Sequence, residues 1–194
     1  MFGDLGINDK NWPITRIADI AEIKIGPFGT LLHKEDYISN GHALVNPSHI
    51  IDNKICVDPK LTISDEKYDE LSAYKLKKND IVLGRRGEMG RCAVVTEEGL
   101  LCGTGSIIIR TNSKMKPFFL QNILSNPLYK KIIEDKAVGV TMLNLNVPIV
   151  SNLEVPLLPI NLQDQFISFV QQIDKSKFEI ANSLKRLYNK GMLS

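Results

Sequence analysis

The C-terminal part of the chain carries a seven-residue repeat that predicts one long helix. Phe166, Ile173, Ile180 and Leu187 recur every seven residues, and Val170, Lys177 and Leu184 fall four residues after the first three. These are the a and d positions of a coiled-coil seam that contains a single lysine. A helix over residues 161–190 would be about 45 Å long, more than one small domain needs for its core. We therefore expect these seven side chains to pair with another helix. The alternative is a core helix that lies across its own domain.

A proline-bounded segment separates this helix from the residues before it. The two prolines of segment 155–159 fix their own φ and favour extended geometry in the residues that precede them. Asn161 then occupies a suitable N-cap position, and Asp164 suits the positive end of the helix. We expect residues 1–158 to form a globular domain and residues 159–194 to form the pairing helix.

The composition is typical of a soluble globular protein, with 43% hydrophobic and 24% charged residues among 194. The net charge of +2 means that any nucleic-acid binding must come from a local basic patch. The N-terminus lacks a signal peptide, and no apolar run is long enough to span a membrane. Three widely spaced cysteines favour a reducing cytoplasm, and their spacing to the histidines does not suit zinc. We expect a cytoplasmic protein without a bound metal.

Short β-branched runs alternate with turn residues before the long helix, which predicts an α+β fold. The expected strands cover residues 14–25, 42–45, 80–83, 92–95 and 106–109, and the expected helices cover 65–75 and 117–136, the latter broken at Asn126. Residues 139–155 are expected to form a loop and a short strand. The fold class is therefore a mixed, strongly twisted sheet with short helices, followed by one long C-terminal helix of coiled-coil type.

Three arginines form the densest basic cluster, between two predicted strands. Arg85, Arg86 and Arg91 alternate with glycines that allow the backbone to approach a surface closely. A guanidinium group can hold phosphates or bind guanine O6 and N7 together. The alternative is an exposed hairpin whose arginines pair with Glu88 and water, as charge runs commonly do.

The chain carries no sequence motif of a catalytic centre. A P-loop, a zinc-protease helix and a hydrolase nucleophile motif are all lacking. The glycine-rich segment 103–106 resembles a phosphate loop, but β-branched residues follow it, so it enters a strand instead of a helix. Thr104 and Ser106 could still offer hydroxyl groups to a DNA backbone. These features predict a binding protein and not an enzyme.

A series of short motifs runs through nearly the whole chain. They are Gly26-Pro27-Phe28-Gly29-Thr30, Asp36-Tyr37, Asn79-Asp80-Ile81-Val82, Arg86-Gly87, Gly90-Arg91-Cys92-Ala93-Val94-Val95, Gly139-Val140-Thr141 with Leu143-Asn144, and Val155-Pro156-Leu157-Leu158-Pro159 ahead of Gln165. In this order and spacing they resemble the specificity subunit of type I restriction–modification enzymes. Each motif alone is weak, and their order together is specific.

The resemblance implies a DNA-binding scaffold without catalysis of its own. In that family a target recognition domain reads one half of a split DNA site, and its long helix pairs antiparallel with a second helix. The partners are DNA methyltransferase (M) subunits and a restriction (R) subunit, which bring S-adenosylmethionine, ATP and Mg. Family members usually carry two recognition domains and two helices, whereas this chain carries one of each. It could pair with itself or with a second half-specificity subunit.

We expect the arginine hairpin to line the DNA face. The predicted DNA-binding residues are Lys34, Arg85, Arg86, Arg91, Thr104, Ser106, Thr141, Asn144 and Asn146, which combine rigid cationic donors with short polar side chains beside glycine. No residue is expected to bind a cofactor. The rival interpretation is a protein-interaction adaptor that docks a partner through its helix without reading DNA. An enzyme is a third interpretation, and it would require a nucleotide or metal on the isolated chain.

Overall fold

The computed structural model describes residues 2–87, 90–139 and 144–191, with the side chains of the last helix described to residue 186. The strands are β1 (Ile14–Arg16), β2 (Ala21–Ile25), β3 (His42–Val45), β4 (Ile50–Ile51), β5 (Lys54–Ile55), β6 (Thr62–Ile63), β7 (Ile81–Gly84), β8 (Cys92–Val94), β9 (Leu101–Cys102), β10 (Ser106–Thr111) and β11 (Glu154–Pro156). The helices are α1 (Ile17–Ile20), α2 (Asp65–Glu70), α3 (Pro117–Leu124), α4 (Pro127–Lys136), α5 (Val147–Ser151) and α6 (Ile160–Gly191). The α+β class with a long C-terminal helix is confirmed.

A four-stranded antiparallel sheet in the order β2-β10-β7-β8 forms the centre of the domain. In β10, Ile107 and Ile109 face one core, and Ile108 faces another. Alternate residues of a strand point to opposite faces, so a run of isoleucines serves a sheet that is covered on both sides. This explains why the strand is apolar throughout instead of alternating with polar residues.

The larger core lies between this sheet and the helices. Phe119 of α3 is fully buried there, and its ring meets the ring of Phe166 edge-on, with centroids 5.3 Å apart. Phe2 meets the same Phe166 ring at 5.2 Å. Edge-to-face aromatic pairs add to the free energy of burial itself. The N-terminal segment and the start of α6 therefore belong to one packed core.

The opposite face of the sheet is covered by a smaller three-stranded sheet in the order β6-β3-β9. Strand β3 pairs antiparallel with β6 and parallel with β9. Val45 of β3 packs against Val82 and Ile108 of the central sheet in a second core. A third core surrounds Leu44, Leu71 and Leu101.

Gln163 fastens the first turn of α6 to the domain. Its side chain is fully buried, and its Nε2 donates to the carbonyl oxygens of Leu158 at 2.7 Å and Lys114 at 3.0 Å. Its Oε1 accepts from the backbone N–H of Lys116 at 2.8 Å. Beyond this anchor the helix leaves the domain, since Phe178 is 68% exposed and Ile180 is 61% exposed. No helix in the three described ranges is long and apolar enough to cross a membrane.

Several local predictions about strands and helices are confirmed. Strands occur at all the expected runs from residue 42 onward, with ends shifted by up to two residues. The break between α3 and α4 falls at Asn126, whose side-chain oxygen accepts from the Leu128 N–H at 2.9 Å and so caps α4.

Other local predictions are wrong. The single strand expected over 14–25 is interrupted by α1, because Ile17 and Ile20 both enter the larger core and this spacing suits a helical turn. The helix expected over 65–75 ends at Glu70 and continues as a 3-10 turn. Helix α5 was not expected. Asn161 is not the N-cap of α6, because the Gln163 N–H donates to the Pro159 carbonyl and the helix begins at Ile160.

An ion pair between β10 and the start of β7 predicts a large stability effect. Asp80 is 1% exposed and accepts two hydrogen bonds of 2.7 Å from Arg110 and one of 2.8 Å from the Lys77 N–H. We expect Arg110→Leu to lower the free energy of unfolding by about 3 kcal/mol, because it leaves a buried carboxylate without a counter-ion. Urea denaturation measures this.

Arg16 provides the matched control for this ion pair. It pairs with Asp19 at 3.2 Å on the surface, so Arg16→Leu should leave the urea midpoint unchanged. Equal effects of the two substitutions would show that the Asp80 pair contributes no more than a surface ion pair.

Candidate nucleic-acid interface

The strand register brings the ends of all four central strands to one edge of the sheet. Ile107 of β10 lies opposite both Ile25, the last residue of β2, and Leu83 of β7. Leu83 in turn lies opposite Cys92, the first residue of β8. We call the segments that leave this end the loop edge, defined by Gly26, Arg85–Gly87, Gly90–Arg91, Gly103–Gly105 and Asn144–Asn146.

Backbone hydrogen bonds tie the segments of the loop edge together. The Gly26 N–H donates to the Ser106 carbonyl at 2.9 Å, and the Arg85 N–H donates to the Gly105 carbonyl at 3.0 Å. The Leu145 N–H donates to the Arg85 carbonyl at 2.9 Å, next to an antiparallel bridge between Arg86 and Asn144. Residues far apart in sequence therefore form one backbone-braced surface.

The turn after β3, at residues 46 and 47, packs against the loop edge. Arg91 donates from Nη1 to the Pro47 carbonyl at 3.2 Å, and the Gly103 N–H donates to the Val45 carbonyl at 3.0 Å. A Cβ on Gly103 would clash with the Asn46 side chain and lie 2.9 Å from the Val45 carbonyl oxygen, so a larger residue would require the backbone to shift. Residues 46 and 47 directly follow the predicted strand 42–45, and no local signal in the sequence indicates their supporting role.

The arginines of the loop edge have different environments. Arg85 is buried with 7% exposure, whereas its neighbour Arg86 is exposed. Burial, together with the positive charge of Arg86, lowers the pKa of Arg85 below its usual value. Arg91 is half-buried beneath the turn at Pro47. The edge thus carries one cation that is open to solvent and two that are held by the fold.

Six of the predicted DNA-binding residues lie in the loop edge, namely Arg85, Arg86, Arg91, Thr104, Asn144 and Asn146. Lys34 is exposed in a 3-10 turn beside α2, where the neighbouring Asp36 lies 3.8 Å from Lys67. Thr141 lies outside the described residues.

Ser106 does not belong to the surface, so its prediction as a DNA contact is wrong. It is fully buried, and its hydroxyl donates to the Val45 carbonyl at 3.0 Å. The physical reason is its register opposite Gly84, which places its side chain between the central and the smaller sheet. Asn146 has a structural role too, because its side-chain oxygen accepts from the Ile149 N–H at 2.9 Å and caps α5.

The predicted seam of α6 divides into two parts. Phe166 is partly buried and packs against the larger core of its own domain, and its role in helix pairing stays a prediction. Val170 lines a cavity of about 260 Å³ between α3 and the β4–β5 hairpin, and Ile173 is half-buried. Lys177, Ile180 and Leu184 are exposed. The side chain of Leu187 lies outside the described residues.

Phe169 belongs with the outer part of the seam, although it lies outside the predicted seven-residue repeat. It is exposed and precedes Ile173 by four residues, which places both on one side of the helix. The seven-residue count from Phe166 passed over it, and a count with mixed spacings of three and four would have found it. We call Phe169, Ile173, Lys177, Ile180 and Leu184 the exposed stripe.

A family comparison decides what this architecture is. The model of the family described as Type I restriction modification DNA specificity domain matches residues 9–187. The chain belongs to this family. The resemblance read from the ordered motifs is thereby confirmed.

The specificity domain is similar to parts of longer proteins. It is 27% identical to the Type I restriction enzyme EcoBI specificity subunit of Escherichia coli over 93% of this chain and 39% of that protein. The HsdS subunit from Thermoanaerobacter tengcongensis has the same fold, with a TM-score of 0.62, 16% identity, and coverage of 87% of this chain and 38% of its own.

A further solved structure concerns complex assembly and conformational transition of the type I R-M system. It has a TM-score of 0.64 and 18% identity, and the match covers 91% of this chain and 43% of that one. This specificity domain therefore spans about two fifths of the relatives that it matches.

The corrected role of Ser106 yields a prediction. Ser106→Ala should lower the free energy of unfolding by about 1 kcal/mol, because the Val45 carbonyl loses a buried donor. DNA affinity should not change. The neighbouring half-buried Thr104 is the control, and Thr104→Ala should leave thermal stability unaltered. A loss of DNA affinity in a fully folded Ser106→Ala variant would restore Ser106 to the interface.

Proposed function

We propose that this chain is the DNA-reading part of a type I specificity subunit and has no catalytic activity of its own. The loop edge binds one half of a split duplex site, and the exposed stripe of α6 pairs with a second helix. The observation that carries the proposal is the convergence of Arg85, Arg86 and Arg91 at one braced edge in a member of this family.

The chemistry of the loop edge suits duplex DNA. Guanidinium groups bind phosphates and the guanine edge in the major groove with paired donors. Aromatic residues make up only 7% of the sequence, and none of the loop-edge residues is aromatic, which disfavours stacking on single-stranded bases. Because the net charge of the chain is only +2, electrostatic attraction for DNA has to come from a local basic patch such as this one.

The charges of α6 favour an antiparallel partner helix. Between residues 160 and 174 the only charged side chains are Asp164 and Asp174. The second half is basic, with Lys175, Lys177, Lys185, Arg186 and Lys190 against Glu179. In an antiparallel pair the acidic half of each helix meets the basic half of the other. The positive end of each helix dipole also lies beside the negative end of the other, which is favourable. A second copy of this chain meets that requirement.

Two copies on a two-fold axis would read an interrupted palindrome, with the helices setting the distance between the half-sites. A different half-specificity subunit in place of the second copy would give an asymmetric site. M subunits would bind this scaffold and methylate the site with S-adenosylmethionine, and an R subunit would cleave DNA with ATP and Mg. This division of labour places the protein in the cytoplasm with the DNA.

Arg86 provides the test of DNA reading. We expect Arg86→Gln to weaken binding to the preferred duplex about tenfold, because an exposed guanidinium at the loop edge is lost. Arg16→Gln is the matched control, since Arg16 is exposed beside the opposite end of β2. The measurement is a fluorescence anisotropy titration at two salt concentrations, with and without the co-purified M subunit. Binding without any sequence preference in every combination would favour the adaptor interpretation.

Helix pairing has its own test. Ile180→Asp should abolish association of the chain in sedimentation velocity, because a carboxylate enters the exposed stripe. Phe178→Asp is the control, since Phe178 is similarly exposed. It lies two residues from Ile180, and a turn of about 100° per residue places it on the opposite side of the helix. A monomeric wild-type chain at high concentration would refute self-pairing, while pairing with another subunit would remain.

A further inference from the structure

Among the residues that the structure describes, buried polar side-chain atoms without a hydrogen-bond partner occur at one place. Within the described part of the chain, only two buried side-chain nitrogen or oxygen atoms lack a hydrogen-bond partner. They are Nε of Arg85 and Oδ1 of Asn144. Other buried polar side chains are fully engaged, as Gln163 and Asp80 show. Native folds leave few such groups, so two at one edge require an explanation.

Arg85 is the costlier of the two. Its residue is more than nine-tenths buried, and no carboxylate pairs with it among the described residues. Its backbone is fixed on both sides by Gly105 and Leu145. A buried N–H donor such as Nε of Arg85 costs free energy when it has no acceptor. Such a group persists where a ligand supplies the missing acceptor.

Asn144 narrows the chemistry of that ligand. It lies directly opposite Arg86 and one residue from the hydrogen bond that fixes Arg85. Its buried Oδ1 requires a donor, whereas phosphate oxygens offer only acceptors. Base edges in the major groove offer both kinds of group: guanine presents O6 and N7, and adenine and cytosine present amino groups. The unsatisfied donor and acceptor therefore match bases better than backbone.

We propose that Arg85 and Asn144 read base edges, Arg85 by donating to a guanine and Asn144 by accepting from the amino group of a neighbouring adenine or cytosine. This rests on the proposed function and goes beyond it by separating the base-reading residues from the remaining cations of the loop edge. Gly87 follows Arg85 and Arg86 with a φ of +78°, and a Cβ there would meet nothing. No described residue covers the backbone at this position within 4 Å.

The experiment uses the full chain in complex with its M subunit. A duplex pool with a randomised half-site gives the preferred sequence of the wild type. Arg85→Met and Asn144→Leu are then measured in two ways: thermal unfolding of the chain, and affinity for the preferred duplex and all its single-base-pair variants. Gln121→Leu is the matched control for Arg85, because Gln121 is as deeply buried as Arg85 but its Nε2 donates to the Asn53 carbonyl at 2.7 Å.

The expected result is a separation of stability from binding. Arg85→Met and Asn144→Leu should keep or raise the unfolding midpoint, because each removes an unsatisfied polar atom. Each should bind the preferred duplex about tenfold more weakly or worse, and the loss should disappear on duplexes altered at one or two particular base pairs. Gln121→Leu should lower the midpoint and leave the sequence preference unchanged.

Four results would overturn the inference. A midpoint lowered by Arg85→Met as far as by Gln121→Leu, or failure of that variant to fold, would make Arg85 a structural residue. An equal loss of affinity on every duplex would assign it to phosphate. Unchanged binding by both variants, with a clear wild-type preference, would remove the pair while the proposed function stands. If the wild-type complex enriches no sequence at all, the proposed function fails as well.

Discussion

The pairing of β10 with both β2 and β7 is the constraint on which the remaining structure depends. Ile107 lies opposite Ile25 on one side and Leu83 on the other, so the strand ends line up at one edge. A shift of one residue would exchange Ile107 and Ile108 between the two cores, since alternate side chains face opposite sides. The apolar residues thus fix the register, and the register fixes which loops meet. Apolar contacts of other residues therefore bring the arginines to a common surface, to which Arg85 and Arg91 add hydrogen bonds of their own.

Buried polar groups in the body of the domain have hydrogen-bond partners, whereas two such groups at the loop edge do not. Asp80 and Gln163 are buried, and their side-chain polar atoms are hydrogen-bonded. Both residues join elements that are distant in sequence. Arg85 and Asn144 are held just as firmly by backbone hydrogen bonds, yet each keeps a buried atom without a partner. Stability could be gained at either position by an apolar side chain. A fold that keeps such groups forgoes stability at the edge where we propose that it meets DNA.

Helix α6 combines two functions along one axis. Its first turns are part of the domain, because Gln163 and Phe166 are engaged by α3, the N-terminal segment and the loop before α3. Its outer turns expose an apolar stripe. A rigid helix anchored at one end holds its outer stripe at a set distance from the loop edge. The spacing between two recognition surfaces would then follow from helix length and not from a flexible linker.

The sequence by itself determined the elements whose signals are local. Strand runs, the break at Asn126 and the long helix follow from side-chain periodicity and capping, and the order of motifs identified the family. Local patterns could not decide whether a given residue is buried or exposed in the folded chain. Ser106 and Thr104 look alike in sequence, but the register puts the first between two sheets. Phe166 and Ile180 occupy equivalent heptad positions, yet only Phe166 meets Phe119 and Phe2. Tertiary structure decided these cases because burial depends on partners that are distant in the chain.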